Sequence, residues 1–522
     1  MTISAESLKY FQGELLPTDT VLVGWAALVQ ALCLEAPVHK MSCISKKHIM
    51  GSQRQEGLWR IYDKRYAPQS GPLGHIVFAF KHENIDLLLL RRAFVKIPQT
   101  DVEVFIAATP TGSISRRIWF FYELLTGKML DIDDAPKVGA VDALDTTRYF
   151  TSKPKLSKRH RVRDNLLGGA GFCPVIRRTD KLQSFIDLDL ANKAANIVGQ
   201  TSRHLISRAA SFMLLADSRS SFAIEGERPP RSRLERWGQA VLQAGKTPLN
   251  QTEIYRLHRI LLGDDRFTQV GYRKDGVFLG KRDHNHDPLP EFIGARYSDV
   301  PELMTALNVC NNRMRPQVID PVIQAAIIAF GFVYIHPLED GNGRLHRCLI
   351  HHVLTERKFS PAGMVFPVSS VMLDRIEDYQ TTLQNHSAPL MPFIEWQATE
   401  EHNVEVLNDT ADLYRYSDCT REAEFLYECV RTTVETDLPR EIAYLTAHDE
   451  AEASIMVCVE MPNRRAQDLI IFVRQNNGVI PKKRREKEFS ALTDIEVANI
   501  EKIIADAFKG YNEACALIGR TP

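Results

Sequence analysis

Between about residues 182 and 397 apolar positions recur three and four apart, the spacing of helices with one buried face. On that spacing helices are predicted over residues 186–216, 233–244, 251–262, 300–311, 321–335, 343–357 and 370–386. The stretch 321–335 is apolar on all sides but contains Gln324 and is short for a membrane span, so it reads as a buried core helix. One segment breaks the helical rhythm. Val277-Phe278-Leu279-Gly280 follows Asp275-Gly276, and a turn dipeptide before an apolar run predicts one arm of a β-hairpin. Upstream, the runs 76–80 and 102–106 are short, β-branched and aromatic, which predicts strands, whereas 116–125 reads as a helix stopped by Gly127. The basic run 153–163 and the glycines of 168–171 read as a surface loop or linker. Beyond residue 398 the pattern is helical again, strongest at 422–435 and 493–508. The charged segment Lys482-Lys483-Arg484-Arg485 is read as a helix start, with a winged or helix-turn-helix-like tail as the alternative. The chain is thus expected to be mainly α. A mixed α/β region over 1–180 precedes a helical core with a hairpin over 181–397 and a helical C-terminal region over 398–522.

Composition narrows the class without naming a chemistry. A length of 522 residues is too great for one core and suggests about three domains. A hydrophobic content of 44% and a charged content of 25% describe an ordinary globular protein. The formal net charge is zero, so no global field recruits nucleic acid or an acidic membrane. Nine cysteines without a Cys-x-x-Cys pair fit a reducing compartment and argue against zinc. The first residues lack the basic and apolar regions of a secretory signal. A cytoplasmic protein with no membrane contact is expected, and nucleic acid is not an expected partner.

The chemistry concentrates in His336-Pro337-Leu338-Glu339-Asp340-Gly341-Asn342-Gly343-Arg344-Leu345-His346-Arg347. Pro337 disfavours continued helix at His336 and biases that residue toward an extended backbone. A loop is therefore expected to about Asn342, with a new helix opening near Gly343. Backbone N–H groups at Gly341, Asn342 and Gly343 can approach a phosphate closely, and the helix N-terminus adds partial positive charge. Asp340, just before that nest, can hold Mg²⁺ on phosphate oxygens. Arg344 and Arg347 lie three apart and share a helix face, so both can meet one polyphosphate. His336 ordinarily titrates near neutrality and suits removal of a proton from a hydroxyl. Read one by one, these would be turn glycines, a capping Asn and surface arginines; in this order after an apolar helix they point to nucleotide-phosphate transfer.

The segment resembles the signature of Fic-domain proteins, His-x-Phe-x-(Asp/Glu)-Gly-Asn-Gly-Arg-x-x-Arg, with Leu338 at the usual Phe. The resemblance covers roughly residues 182–397. It implies an enzyme that transfers AMP from ATP to a Ser, Thr or Tyr hydroxyl of a target protein and releases pyrophosphate. On it, His336 would be the general base, Asp340 the Mg²⁺ ligand, Gly341-Asn342-Gly343 the cradle of the α- and β-phosphates, Arg347 the γ-phosphate cation and Arg344 its support. Val277, Phe278, Leu279 and Gly280 would form a flap that aligns the target by strand-like pairing. Tyr379 is a candidate for the base pocket, with a core position as the alternative. The kinase-like branch of the fold replaces the Gly-Asn-Gly nest, so its retention favours nucleotidyl over phosphoryl transfer.

A second pattern, Ser221-Phe222-Ala223-Ile224-Glu225-Gly226, ends a long helical stretch. Ser221 and Glu225 share a face and Gly226 suits a C-terminal cap. It resembles the family's inhibitory helix, (Ser/Thr)-x-x-x-Glu-(Gly/Asn), here expected at about 210–226. On the resemblance Glu225 would pair with Arg347 and hold the enzyme closed, and in some relatives the same glutamate also serves removal of AMP. Three further readings stay open: a DNA- or protein-binding regulator on the same scaffold, another donor such as UTP or CTP, and, by analogy with relatives, a homodimer.

Overall fold

The computed structural model describes residues 9–517 apart from 264, 265, 267 and 316–318. Two compact units interleave along the chain: residues 1–183, 247–353 and 377–426 form one, and 184–246, 354–376 and 427–522 the other. The single break points expected near 180 and 397 therefore do not describe how the segments cluster.

After a short antiparallel pair, Tyr10–Phe11 with Glu14–Leu15, the first unit has a four-stranded sheet in the order Thr20–Leu22, Met41–Ser45, Trp59–Tyr62, Gln53–Glu56, with only the middle pair parallel. The runs 76–80 and 102–106 are not strands. They lie in helices Pro72–His82 and Gln99–Ala108. Val102 and Ile106 are buried while Val104 is 70% exposed, a four-residue spacing that only a helix produces. Pro72 starts its helix where the missing N–H is harmless. The third reading holds: Ser113–Thr126 is a helix, closed by Gly127 at φ 70°. The basic stretch expected as a linker instead contains antiparallel strands Lys155–Ser157 and Val162–Asp164, with Arg163 spread along Asp142 at 2.6 Å.

The helical core of this unit is built on Pro321–Ile335, whose residues from Val322 onward are all buried. Asp320 caps its first turn through the N–H groups of Val322 and Ile323. Its one amide, Gln324, donates to Asn311 at 2.8 Å and is satisfied in the interior. Gln251–Leu262, Val300–Met314, Asn342–Glu356 and Ile376–Ser387 follow the predicted helices within a few residues, but the stretch 370–386 is interrupted at Arg375.

In the second unit the single helix predicted over 186–216 is two, Leu190–Gln200 and Arg203–Ile224, parted at Thr201-Ser202. Ser202 caps the second. Leu438–Cys458, Asn463–Gln475 and Asp494–Ala507 enclose a core of Ile455, Leu469, Ile470, Val473, Ile500, Ile504 and Phe508. Thr493 and Glu496 form a capping box at the start of the last of these. The run beginning at Lys482 is a short helix, and no strand that could form a wing occurs among the described residues after Val406. No helix among the described residues is long and apolar enough to cross a membrane.

Candidate functional site

Helix Pro321–Ile335 ends on His336, which takes φ 55° and ψ 59° and caps the helix through its N–H on the Phe332 carbonyl. The extended backbone expected from Pro337 is not the conformation adopted. The left-handed region equally escapes the helical one that proline disfavours, and histidine enters it more readily than most residues. This turn folds the ring back so that Nδ1 lies 3.1 Å from the Val333 carbonyl. A carbonyl only accepts, so Nδ1 carries the proton of the neutral ring and Nε2 becomes the basic nitrogen.

The loop after His336 is held rigidly. The Asn342 side chain accepts from the Leu338 N–H at 2.9 Å and donates to the Leu338 carbonyl at 2.8 Å. Leu338 is fully buried, as expected of an apolar anchor under the loop. The Asn342 amide is therefore engaged within the loop, and what it can offer a phosphate is backbone. Gly341 adopts φ 83° and donates to Asp340 at 2.6 Å. Asn342–Glu356 opens here, leaving first-turn N–H groups for an anion. Arg344 reaches back to Asp340 at 2.8 and 3.0 Å. Both arginines are buried, Arg344 at 3% and Arg347 at 1% exposure, which removes the reading of them as surface residues. The Asp340 side chain stays 55% exposed, so a carboxylate oxygen remains within reach of solvent and of a hydrated cation. One accessible carboxylate beside an anion cradle fits the donor set of Mg²⁺ held jointly with phosphate oxygens.

Three residues that brace the loop were not anticipated. His258, on Gln251–Leu262, reaches the Asp340 carbonyl at 3.0 Å, and burial pushes its imidazole toward the neutral form. The guanidinium of Arg273 donates to the carbonyls of His336 at 2.7 Å, Asp275 at 2.6 Å and Ala295, and its backbone N–H to Pro337 at 2.9 Å. Gly294 lets a third segment pass close: a Cβ there would stand 2.6 Å from Val277 Cγ1 and 3.0 Å from His336 Cβ. These partners lie up to some eighty residues from the motif, and no local pattern marks them.

A hairpin does form here, and its turn lies elsewhere than predicted. Phe278–Arg282 pairs with Pro288–Ile293 across a bulge after Leu279. The chain reverses over residues 283–287, where Asp283 accepts from Asn285 and Asp287; Asp275-Gly276 precedes the hairpin. Gly280 sits in the bulge at φ 151°, with the space for a Cβ taken by the Leu289 carbonyl at 2.3 Å. Phe292 on the return strand faces the His336 ring at a centroid distance of 5.6 Å, and Leu279 is half exposed. Tyr379 lies 6.1 Å from His346 and 5.8 Å from Phe425, ring on ring, and is 4% exposed; its surroundings are those of the alternative, a core position. His346 itself is fully buried on the Ala329 carbonyl, pushed down to about 3 by burial, and belongs to the scaffold.

In the other unit the pattern around Glu225 ends a helix as expected. Gly226 takes φ 73°, and its N–H and that of Glu227 bond back to Ala223 at 2.9 Å and Phe222 at 3.0 Å, a Schellman closure. Ser221 and Phe222 are buried and Glu225 is exposed. Asp217, one turn earlier, accepts from the Ser369 N–H at 2.8 Å and the Trp237 ring at 3.2 Å, which fixes the helix within its unit.

With this geometry, the comparisons with known proteins have a place. Residues 248–354, a span that contains the whole motif, match the family model described as the Fic/DOC family. A protein named protein adenylyltransferase Fic from Nematostella vectensis is 32% identical over 147 residues, 28% of this chain and 31% of that one. Protein adenylyltransferase fic-1 of Caenorhabditis briggsae is 28% identical over 148 residues, 28% of this chain and 26% of that one. The chain thus spans about a third or less of the length of these relatives. A crystal structure of a Fic domain containing signaling protein from Bacteroides thetaiotaomicron is 19% identical, with a TM-score of 0.35, covering 50% of this chain and 96% of that chain. At that score the likeness adds nothing to the fold described above.

Asn342→Ala is expected to lower stability by about 2 kcal/mol, because it leaves the buried N–H and carbonyl of Leu338 without partners. Chemical denaturation reads this directly, and a midpoint equal to that of the unsubstituted chain would show that the loop holds its shape without the amide.

Proposed function

We propose that the chain is a protein adenylyltransferase, moving AMP from ATP to a hydroxyl side chain of a protein target. The observation that carries this reading is the histidine whose Nδ1 is fixed on the Val333 carbonyl, at the start of the loop that leads into the Gly341 turn and the helix opening at Asn342. The target oxygen attacks the α-phosphorus and gives its proton to Nε2 of His336. The bond from that phosphorus to the bridging oxygen breaks, and pyrophosphate departs with the electron pair. Backbone N–H groups of Asn342, Gly343 and the rest of the first helical turn receive the α- and β-phosphates, where fixed dipoles cost no reorganisation as charge develops, while Gly341 shapes the turn with its own N–H on Asp340. Arg347 receives the γ-phosphate and Arg344 keeps Asp340 oriented. Asp340 would hold Mg²⁺, which when bound offsets charge on the phosphate oxygens. The flap Phe278–Arg282 aligns the target segment by strand pairing, and Phe292 on its partner strand restricts water beside the base.

In the same reading Glu225 is a brake. Its carboxylate pairs with Arg347, which both occupies the guanidinium and repels an incoming triphosphate. Support comes from the Ser-x-x-x-Glu-Gly spacing and the fixed helix end.

The reaction type is tested with ATP labelled in turn on the α- and the γ-phosphate. Label is expected on protein from the α-labelled donor alone; γ-label on protein would mean phosphoryl transfer and overturn the assignment.

A further inference from the structure

Apart from the motif, the first unit contains a cavity of about 240 Å³ lined by the N-terminal α/β layer and by residues from 385 to 422. Its charges are sorted by depth. Glu83 and Glu422 line it at 6% and 2% exposure. Glu83 Oε2 accepts the Trp25 N–H at 2.9 Å and Glu422 Oε1 the Tyr334 hydroxyl at 2.8 Å. By distance and angle the second oxygens, Glu83 Oε1 and Glu422 Oε2, are buried with no close hydrogen-bond partner among the described residues, although the Ser42 hydroxyl lies near enough to hold the Glu83 carboxyl down against the effect of burial. Burial pushes both carboxyls up to about 7. Two buried acids in one cavity, with no cationic partner for either among the described residues, are costly unless a further donor reaches them.

The rim carries the opposite sign. Lys40 and Arg421 are exposed and Arg60 is half-buried; none of the three has an ion-pair partner among the described residues, and Arg60 makes only long hydrogen bonds of 3.5 Å to the Tyr62 hydroxyl and the His82 carbonyl. The other charged groups of the cavity are committed: Arg177 to Asp418 at 2.6 Å, and Asp86 to the first turn of Leu87–Lys96 through the Leu89 N–H at 2.9 Å. Trp25, Val38 and Tyr416 supply apolar wall. Depth-sorted acid and base of this kind suit a ligand that is itself cationic at one end and anionic at the other. A simple anion would meet the inner carboxyls unfavourably, and a simple cation would meet the rim.

We propose that this cavity binds a small zwitterion, with a primary ammonium toward Glu83 and Glu422 and a carboxylate or phosphate toward Lys40, Arg60 and Arg421. Free α-amino acids and phosphorylated amino alcohols share that chemistry. The site also touches the motif scaffold: Tyr334, which donates to Glu422, stacks on His386 at 3.8 Å and stands two residues before His336.

The test uses the full chain in calorimetry and thermal unfolding, with each of the common free amino acids and phosphoethanolamine at about 5 mM, where a millimolar binder already shifts the equilibrium measurably. One set is expected to bind, and which one responds identifies the anionic group. Lys40→Glu, at an exposed position, should weaken that binding about tenfold or more without moving the ligand-free melting temperature, and Glu83→Gln should weaken it as well. The desamino analogue of the bound compound should fail. No heat and no melting shift with any member of either set would overturn the site. So would unchanged affinity in Lys40→Glu, or equal binding of the desamino analogue.

Discussion

His336→Ala is expected to lower AMP transfer by about 10²–10⁴-fold, the range that a positioned base supplies, while ATP affinity stays within about twofold because a base acts on the barrier and not on the ground state. The expectation rests on how the ring is held. The left-handed turn at His336 and the 3.1 Å contact to Val333 fix the ring and its Nδ1 before any substrate arrives. Alanine, however, also tolerates φ 55° poorly, so part of its loss could come from the loop. His336→Asn separates the two effects, since Asn enters the left-handed region readily but has no basic nitrogen. Both variants should fail alike in single-turnover transfer from α-labelled ATP and bind ATP alike at equilibrium. Transfer at the unsubstituted rate in His336→Asn would remove the histidine from the chemistry. A matching loss of ATP binding would make it a structural residue.

The histidine, the glycine turn and the arginines stood out in the sequence because they are contiguous: twelve residues hold the whole candidate site, and the apolar helix before them is unmistakable. What surrounds them could not. His258, Arg273 and Gly294 become neighbours of the loop only through tertiary packing, and each alone is an ordinary residue of a helix, a loop and a strand end. Short apolar runs misled for a related reason. Ile76 to Phe80 and Val102 to Ile106 satisfy strand and buried-helix patterns equally over five residues, and only burial, with Val104 exposed between two buried neighbours, separates them. The flap shows the same limit. Asp275-Gly276 is a good turn dipeptide, yet the hairpin reverses where Asp283 gathers the N–H groups of Asn285 and Asp287. Asn342 was read as part of the cradle, but its side chain closes on Leu338. The residue that looked like a ligand contact holds the loop in shape.

Glu225→Gly is expected to raise incorporation of α-label into protein by about 10–100-fold, the factor by which a closed state holding about 90–99% of molecules reduces effective ATP affinity. The helix that carries Glu225 is anchored by Asp217 and closed by Gly226, so its end should persist when the carboxylate is lost. The adjacent Gly226 already takes the left-handed turn, and substitution at Glu225 leaves that closure in place. Glu225→Gln distinguishes charge from bulk. If repulsion of the triphosphate is the brake, removing the charge alone should recover most of the gain; if a side chain merely fills space, only glycine should release it. Combining Glu225→Gly with Arg347→Ala should abolish the gain, because the arginine freed by the first change is the one the γ-phosphate needs. Incorporation unchanged in Glu225→Gly would refute the brake while leaving the transfer chemistry at His336 untouched, and retained activation in the double variant would assign the γ-phosphate to another cation.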